Sequence, residues 1–153
     1  MKAPEPASFY NGDAWQSEES IGYLIRQALS ALTRAAETQM RLCGLTAVQW
    51  APLMVIARGG EPTAANLARE LNTDTGAMTR MLDRLETKGL LTRQRSERDR
   101  RVVQLSLTEL GKATAERIPH ALAQAYNGHL QGFSPVEFDQ LKTALRRLAK
   151  PQR

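Results

Sequence analysis

The residues with the most evident chemistry are arginines. Between Arg80 and Arg101 the chain carries eight basic and four acidic residues, so an excess of four of the formal +5 lies in that short stretch. A guanidinium donates bidentately to phosphate or to guanine O6 and N7, so such a cluster suits recognition of a nucleic acid. Arg80 is the candidate base reader; the competing reading is a solvated arginine or one paired with a nearby carboxylate. Thr73, Thr75, Gly76 and Thr79 precede or accompany it, with hydroxyls and bare backbone that can meet phosphates or base edges. Asp74 reads as a helix N-terminal cap, and Arg84 as a phosphate contact or a brace. Arg98, Asp99, Arg100 and Arg101 form a second basic group; the competing reading is a disordered charged turn.

Catalytic and metal chemistry find no support. His120 and His129 are nine residues apart, half a turn out of phase on a helix, so they point opposite ways. No phosphate-cradling glycine loop, G-x-S-x-G or H-E-x-x-H occurs. Cys43 is the only cysteine. It excludes an internal disulfide, fits a reducing compartment, and reads as a buried or idle thiol.

The basic residues need elements to present them. Met78, Met81, Leu82 and Leu85 follow the i, i+3, i+4, i+7 rule and predict one apolar stripe of a helix. Gly76, Thr79, Arg80, Asp83 and Thr87 fall on its opposite face. Gly89 stops the helix. Residues 90–95 and 101–107 then read as strands around the turn 96–100, with Val103, Leu105 and Leu107 alternating onto one face. A short helix over 64–71, capped by Thr63 and broken at Asn72 and Thr73, precedes the stripe helix. The two make a helix-turn-helix. Such an arrangement suits a helix in the major groove with a basic hairpin along the phosphates.

Long amphipathic segments lie on either side. An arm over 1–12, with Pro4 and Pro6, carries Phe9 and Tyr10, and Trp15 follows. Ile21, Leu24, Ile25, Ala28, Leu29 and Leu32 predict a long helix, continued by Ala35, Ala36 and Met40 and stopped at Gly44. Its apolar side is too long for a small domain to cover, which predicts a partner subunit. Thr46 and Gln49 form a capping-box pattern before a helix carrying Trp50, Leu53, Met54 and Ile56, which Pro52 is expected to bend. After the hairpin, Thr108 caps a helix with Leu110, Ala113, Ile118, Leu122 and Ala125, where Pro119 predicts a kink. Ser134, Pro135 and Glu137 open a last helix whose stripe is Phe138, Leu141, Leu145 and Leu148.

The chain has 153 residues, a pI near 9.8 and 42% hydrophobic content with few aromatics, as expected of one domain with an aliphatic core. No apolar leader opens the sequence, and its longest apolar run is far short of the roughly 20 residues that span a bilayer. No membrane association is expected.

The helix around Arg80, Leu82 and Leu85, the Lys88-Gly89-Leu90 stop, the Asp99-Arg100-Arg101 tip and the closing Leu107-Thr108 together resemble the MarR family of bacterial transcriptional regulators. The likeness runs from about Ile21 to Leu148. It implies a mainly α fold with a small β-wing, in one domain over 1–153. Within it the winged helix-turn-helix is expected over 45–107, and dimerisation helices over 13–44 and 108–153. The resemblance further implies a homodimer on a pseudo-palindromic duplex in the bacterial cytosol or nucleoid. Asp99 is expected to stiffen the wing tip, and Arg101 to enter the minor groove. A repressor released by a small aromatic or phenolic effector is also implied, with no cofactor, metal or catalysis. Met40, Trp50 and Met54 are candidates for the effector cleft, or are plain core. The competing reading is a winged-helix module for protein–protein assembly without effector response.

Overall fold

The computed structural model describes residues 8–60, 62–97 and 99–150. Arg98, and the arm residues Pro4 and Pro6, lie outside the described residues. Among the described residues two short 3-10 helices, Gly12–Ala14 and Ser17–Glu19, precede six α-helices and one hairpin: α1 Ile21–Leu42, α2 Trp50–Ala57, α3 Ala64–Glu70, α4 Thr75–Thr87, β1 Leu91–Arg95, β2 Val103–Leu107, α5 Glu109–His129 and α6 Pro135–Leu148.

The helix stops are chemically explicit. After α1, Gly44 sits at φ 73°; its N–H donates to Arg41 O at 3.0 Å, and Leu45 N–H donates to Met40 O at 2.9 Å. That pair of bonds is the Schellman stop, and it needs a left-handed residue. The same pair closes α4 at Gly89, with bonds to Glu86 O and Leu85 O. It also closes α3 at Asn72, whose φ of 49° is the only left-handed one outside glycine among the described residues. The turn of the helix-turn-helix is therefore set by an asparagine in a position that tolerates few other side chains.

Two expected distortions are resolved differently. Pro52 is the third residue of α2, in the first turn, where helix amides have no intrahelical partner. It therefore starts the helix instead of bending it. Half of the Thr46–Gln49 capping box forms: Gln49 Oε1 accepts from Thr46 N at 3.1 Å, while Gln49 N finds the Thr46 carbonyl. Pro119 lies within α5, which runs through it as one helix.

The core is aliphatic. Leu53, Leu67, Leu82, Leu85 and Ile118 are fully buried, joined by Met40, Met78 and Leu91. Met81 reaches only the margin of the core, because the outer half of α4 faces solvent. The wing is a two-stranded antiparallel sheet pairing Leu91 with Leu107 and Arg95 with Val103. Leu105 is buried and Leu107 half-buried, but Val103 is 43% exposed. It lies beyond the core at the tip, so the expected three-residue stripe is a two-residue one. Leu105 N–H also donates to Pro62 O at 2.9 Å, tying the wing to the α2–α3 link.

At the base of the wing the α5 backbone comes very close to the chain after α4. A Cβ on Gly111 would lie 1.9 Å from Leu90 O. Thr108 locks the same junction, donating to Gly89 O at 2.6 Å and accepting from Gly111 N at 3.0 Å.

The ends of the chain behave differently. α1 packs along α5 through its C-terminal half, whereas Leu24 and Leu29 near its start stay half or more exposed. α6 makes no extensive contact with any other element, and its whole stripe is exposed. Among the described residues no helix is long and apolar enough to cross a membrane.

Candidate nucleic-acid interface

α4 begins at a well-made cap. Asp74 Oδ1 accepts from Ala77 N at 2.9 Å, as its place at the helix start suggests. Thr73 is half-buried at this corner and donates to Leu71 O. Thr75, Gly76, Thr79, Arg80 and Arg84 are all exposed on the outer face. A Cβ built on Gly76 would lie 3.5 Å from Arg80 Nη1, so the guanidinium rests over bare backbone at the helix start. Thr79 spends its hydroxyl proton on Thr75 O at 2.9 Å, leaving lone pairs and a methyl to face outwards. Among the described residues, no hydrogen bond or ion pair engages the guanidinium of Arg80 or Arg84.

The acidic residues that seemed to dilute this face are turned to another use. Arg93 on β1 contacts Asp83 Oδ1 at 2.6 Å and Glu86 Oε2 at 3.0 Å. This three-residue cluster fixes the wing against α4 and consumes two carboxylates that would otherwise repel DNA. Lys88 is likewise structural. Its Nζ donates to Gly44 O at 2.7 Å and Gln49 Oε1 at 2.9 Å, joining the end of α4 to the end of α1. Simple charge counting counted Arg93 and Lys88 with the basic face, and the structure removes both.

At the wing tip Asp99 Oδ1 accepts from the Arg101 backbone N at 2.9 Å, and Val102 N donates to Asp99 O at 2.9 Å. The aspartate thus closes the turn through backbone groups. The side chains of Arg100 and Arg101 stay exposed.

One feature escaped the sequence reading. A depression of about 490 Å³ lies where α3 meets the start of α4, lined by Ala65, Arg69, Asn72, Thr73 and Thr75. Arg69 is held by Asn66 Oδ1 at 3.0 Å and points into the same corner as the α4 N-terminus. Its only sequence signal was a basic residue in the last turn of the first helix of the pair.

The candidate effector residues lie in the core or against it. Met40 is 0% exposed within the core, and Trp50 and Met54 pack half-buried against it. Cys43 is half-buried at the end of α1.

Two helices joined by a left-handed turn, a wing clamped to the second helix, and exposed arginines on both define a winged helix-turn-helix DNA-binding protein. The chain belongs to the MarR family, whose sequence model matches residues 45–103. It is similar to the organic hydroperoxide resistance transcriptional regulator of Bacillus subtilis (strain 168), with 30% identity over 136 residues, 87% of this chain and 89% of that one. A mutant MarR from E. coli complexed with operator DNA has 27% identity and a TM-score of 0.79, over 85% of this chain and 94% of that one. CouR, a transcriptional repressor bound to a 23-mer DNA duplex, has 26% identity and a TM-score of 0.80, over 88% of this chain and 96% of that one. The chain is a DNA-binding transcriptional regulator of this class.

Proposed function

We propose that the protein represses nearby genes as a homodimer on a pseudo-palindromic duplex and is released by a small effector. The observation that carries the DNA contact is the exposed Arg80 and Arg84, without a partner among the described residues, on the outer face of α4, flanked by Arg100 and Arg101 on a wing clamped to that helix. In this reading α4 enters the major groove with Arg80 on base edges. Thr73, Thr75, Gly76 and Thr79 meet the backbone or base edges beside it. Arg84 takes a phosphate, and Arg69 a second one at the α4 N-terminus. Arg100 and Arg101, with Arg98 beside them in sequence, follow the backbone into the flanking minor groove, and Asp99 holds their turn.

The chain divides in this account into a reading head over 45–107 and dimerisation segments over 13–44 and 108–153. A relative that is a transcriptional repressor bound to a 23-mer DNA duplex supports the repressor reading, and the family resemblance supports the effector reading. It acts by binding alone, without catalysis, and its DNA target places it in the bacterial cytosol. Selecting genomic fragments bound by the purified protein tests the proposal. The expected result is enrichment of a two-fold related motif. Recovery of no duplex, with capture of an acidic protein instead, would favour an assembly module.

A further inference from the structure

We propose that Lys88 is a strut that sets which spacing of half-sites the protein accepts; the inference rests on the homodimer reading above. Lys88 closes α4 at its C-terminal end, donating its backbone N–H to Arg84 O at 3.1 Å. Its side chain leaves the helix. Nζ donates to Gly44 O at 2.7 Å and to Gln49 Oε1 at 2.9 Å. Gly44 is the left-handed residue that stops α1, so its carbonyl lies beyond the helical ladder, where a cation is favoured. Gln49 is 5% exposed, and its Oε1 also accepts from Thr46 N at 3.1 Å. A buried amide oxygen shared by two donors holds the ammonium in one place.

This tie completes a closed set. Gly89, the next residue, accepts from Thr108 Oγ1 at 2.6 Å, at the start of α5. Arg117 of α5 donates through Nη2 to Leu42 O at 2.8 Å, at the end of α1. The end of α4 is thus bonded to α1 and to α5, and those two are bonded to each other. The α4 backbone lies close along α3 and β1 but not along α1 or α2. A depression of about 470 Å³ separates its outer face from the 46–49 turn, with Val48 on one wall and Met81 and Arg84 on the other. Lys88 bridges these two walls.

The consequence lies in the dimer. The apolar residues left bare on α1 and α6 face the partner there, so the angle between α1 and α4 sets how far apart the two recognition helices stand. Half-sites lie about 34–36 Å apart, one turn of duplex; one added base pair moves a half-site by roughly 3.4 Å and turns it by roughly 35°. A reading head tied to both dimerisation helices cannot follow that change. One freed from α1 can.

The test is equilibrium binding of the full-length protein to duplexes carrying the selected motif, with its spacer shortened by one base pair, unchanged, or lengthened by one. Wild type is expected to prefer one spacer. Lys88→Met, at an exposed position outside the core, is expected to narrow that preference at least about fivefold, because a charge-assisted bond is lost in each subunit. Its preferred half-site bases stay the same. Arg84→Met removes a charge from the same helix but no strut, and is expected to weaken all three duplexes alike. A spacer preference unchanged in Lys88→Met, one narrowed equally in Arg84→Met, or altered half-site bases in Lys88→Met would overturn the strut and leave the dimeric regulator standing. A wild type that binds as a monomer, or distinguishes no spacer, would overturn the homodimer reading with it.

Discussion

In the proposed function Arg80 and Arg101 carry different kinds of recognition, and their surroundings say why. Arg80 lies over Gly76 on a rigid helix, where a guanidinium can be aimed at one base edge. Arg80→Ala should cost roughly 1–3 kcal/mol of specific binding and flatten preference at one or two base pairs per half-site. Binding assays on specific and random duplexes check this; an equal loss on both would make Arg80 a phosphate contact. Arg101 sits on a narrow turn whose geometry uses its backbone N–H, which Asp99 holds. Arg101→Ala therefore keeps the turn and removes charge. Across two wings the slope of log K against log salt should become shallower by about 1 to 2 units, with central base preference unchanged. An unaltered slope with changed central bases would show that the wing reads sequence directly. The outward placement of both arginines was legible from spacing and charge. The pairing of Arg93 and Lys88 was not, because their partners Asp83, Glu86, Gly44 and Gln49 are brought near by the fold, and a charge count treats all cations alike.

At the scale of elements, the stripe of α4 and its glycine stop were readable, since both depend on local periodicity and on one left-handed residue. Pro52 was misread because its effect depends on where the helix begins, and helix boundaries shift by a residue or two. Val103 was misread because alternation gives the face of a strand but not how far the core extends along it. Gly111 was not singled out at all: only the fold brings Leu90 O to where its Cβ would be. Gly111→Ala forces the α5 backbone away from the wing base, and should cost about 3 kcal/mol, lowering the melting temperature on the order of 10 °C. Thermal unfolding followed by circular dichroism checks it, and an unchanged midpoint would mean that this junction moves freely. The start of α6 carries its own signature. Hydrogen bonds from the Ser134 backbone and then its hydroxyl hold the Glu137 carboxyl below its ordinary value. That cap is present at neutral pH and is lost as pH falls through the lowered value, so α6 should fray only under acid conditions.

For the whole molecule, one chain is visibly incomplete. Its reading head has a closed core, while α6, the start of α1 and the arm leave their apolar residues in water. The need for a partner was legible in the length of the α1 stripe, but the folded arm was not, since its shape depends on the bond from Ile21 N to Tyr10 Oη. Deleting residues 134–153 should abolish the dimer or cause aggregation, as sedimentation would report. A well-behaved monomer that binds DNA as tightly as the full chain would contradict the arrangement.

Sequence-specific reading of duplex DNA is the centre of the account, and equilibrium binding tests it most directly. A fluorescent duplex carrying the selected motif is titrated with the full-length protein at physiological salt, beside a scrambled duplex of the same composition. The motif is expected to bind tighter by about 10³-fold or more. Inverting one half-site is expected to remove most of that margin. Equal affinity for the two duplexes, with only salt weakening both, would contradict it: the arginines of α4 and the wing would then hold phosphates and read no sequence.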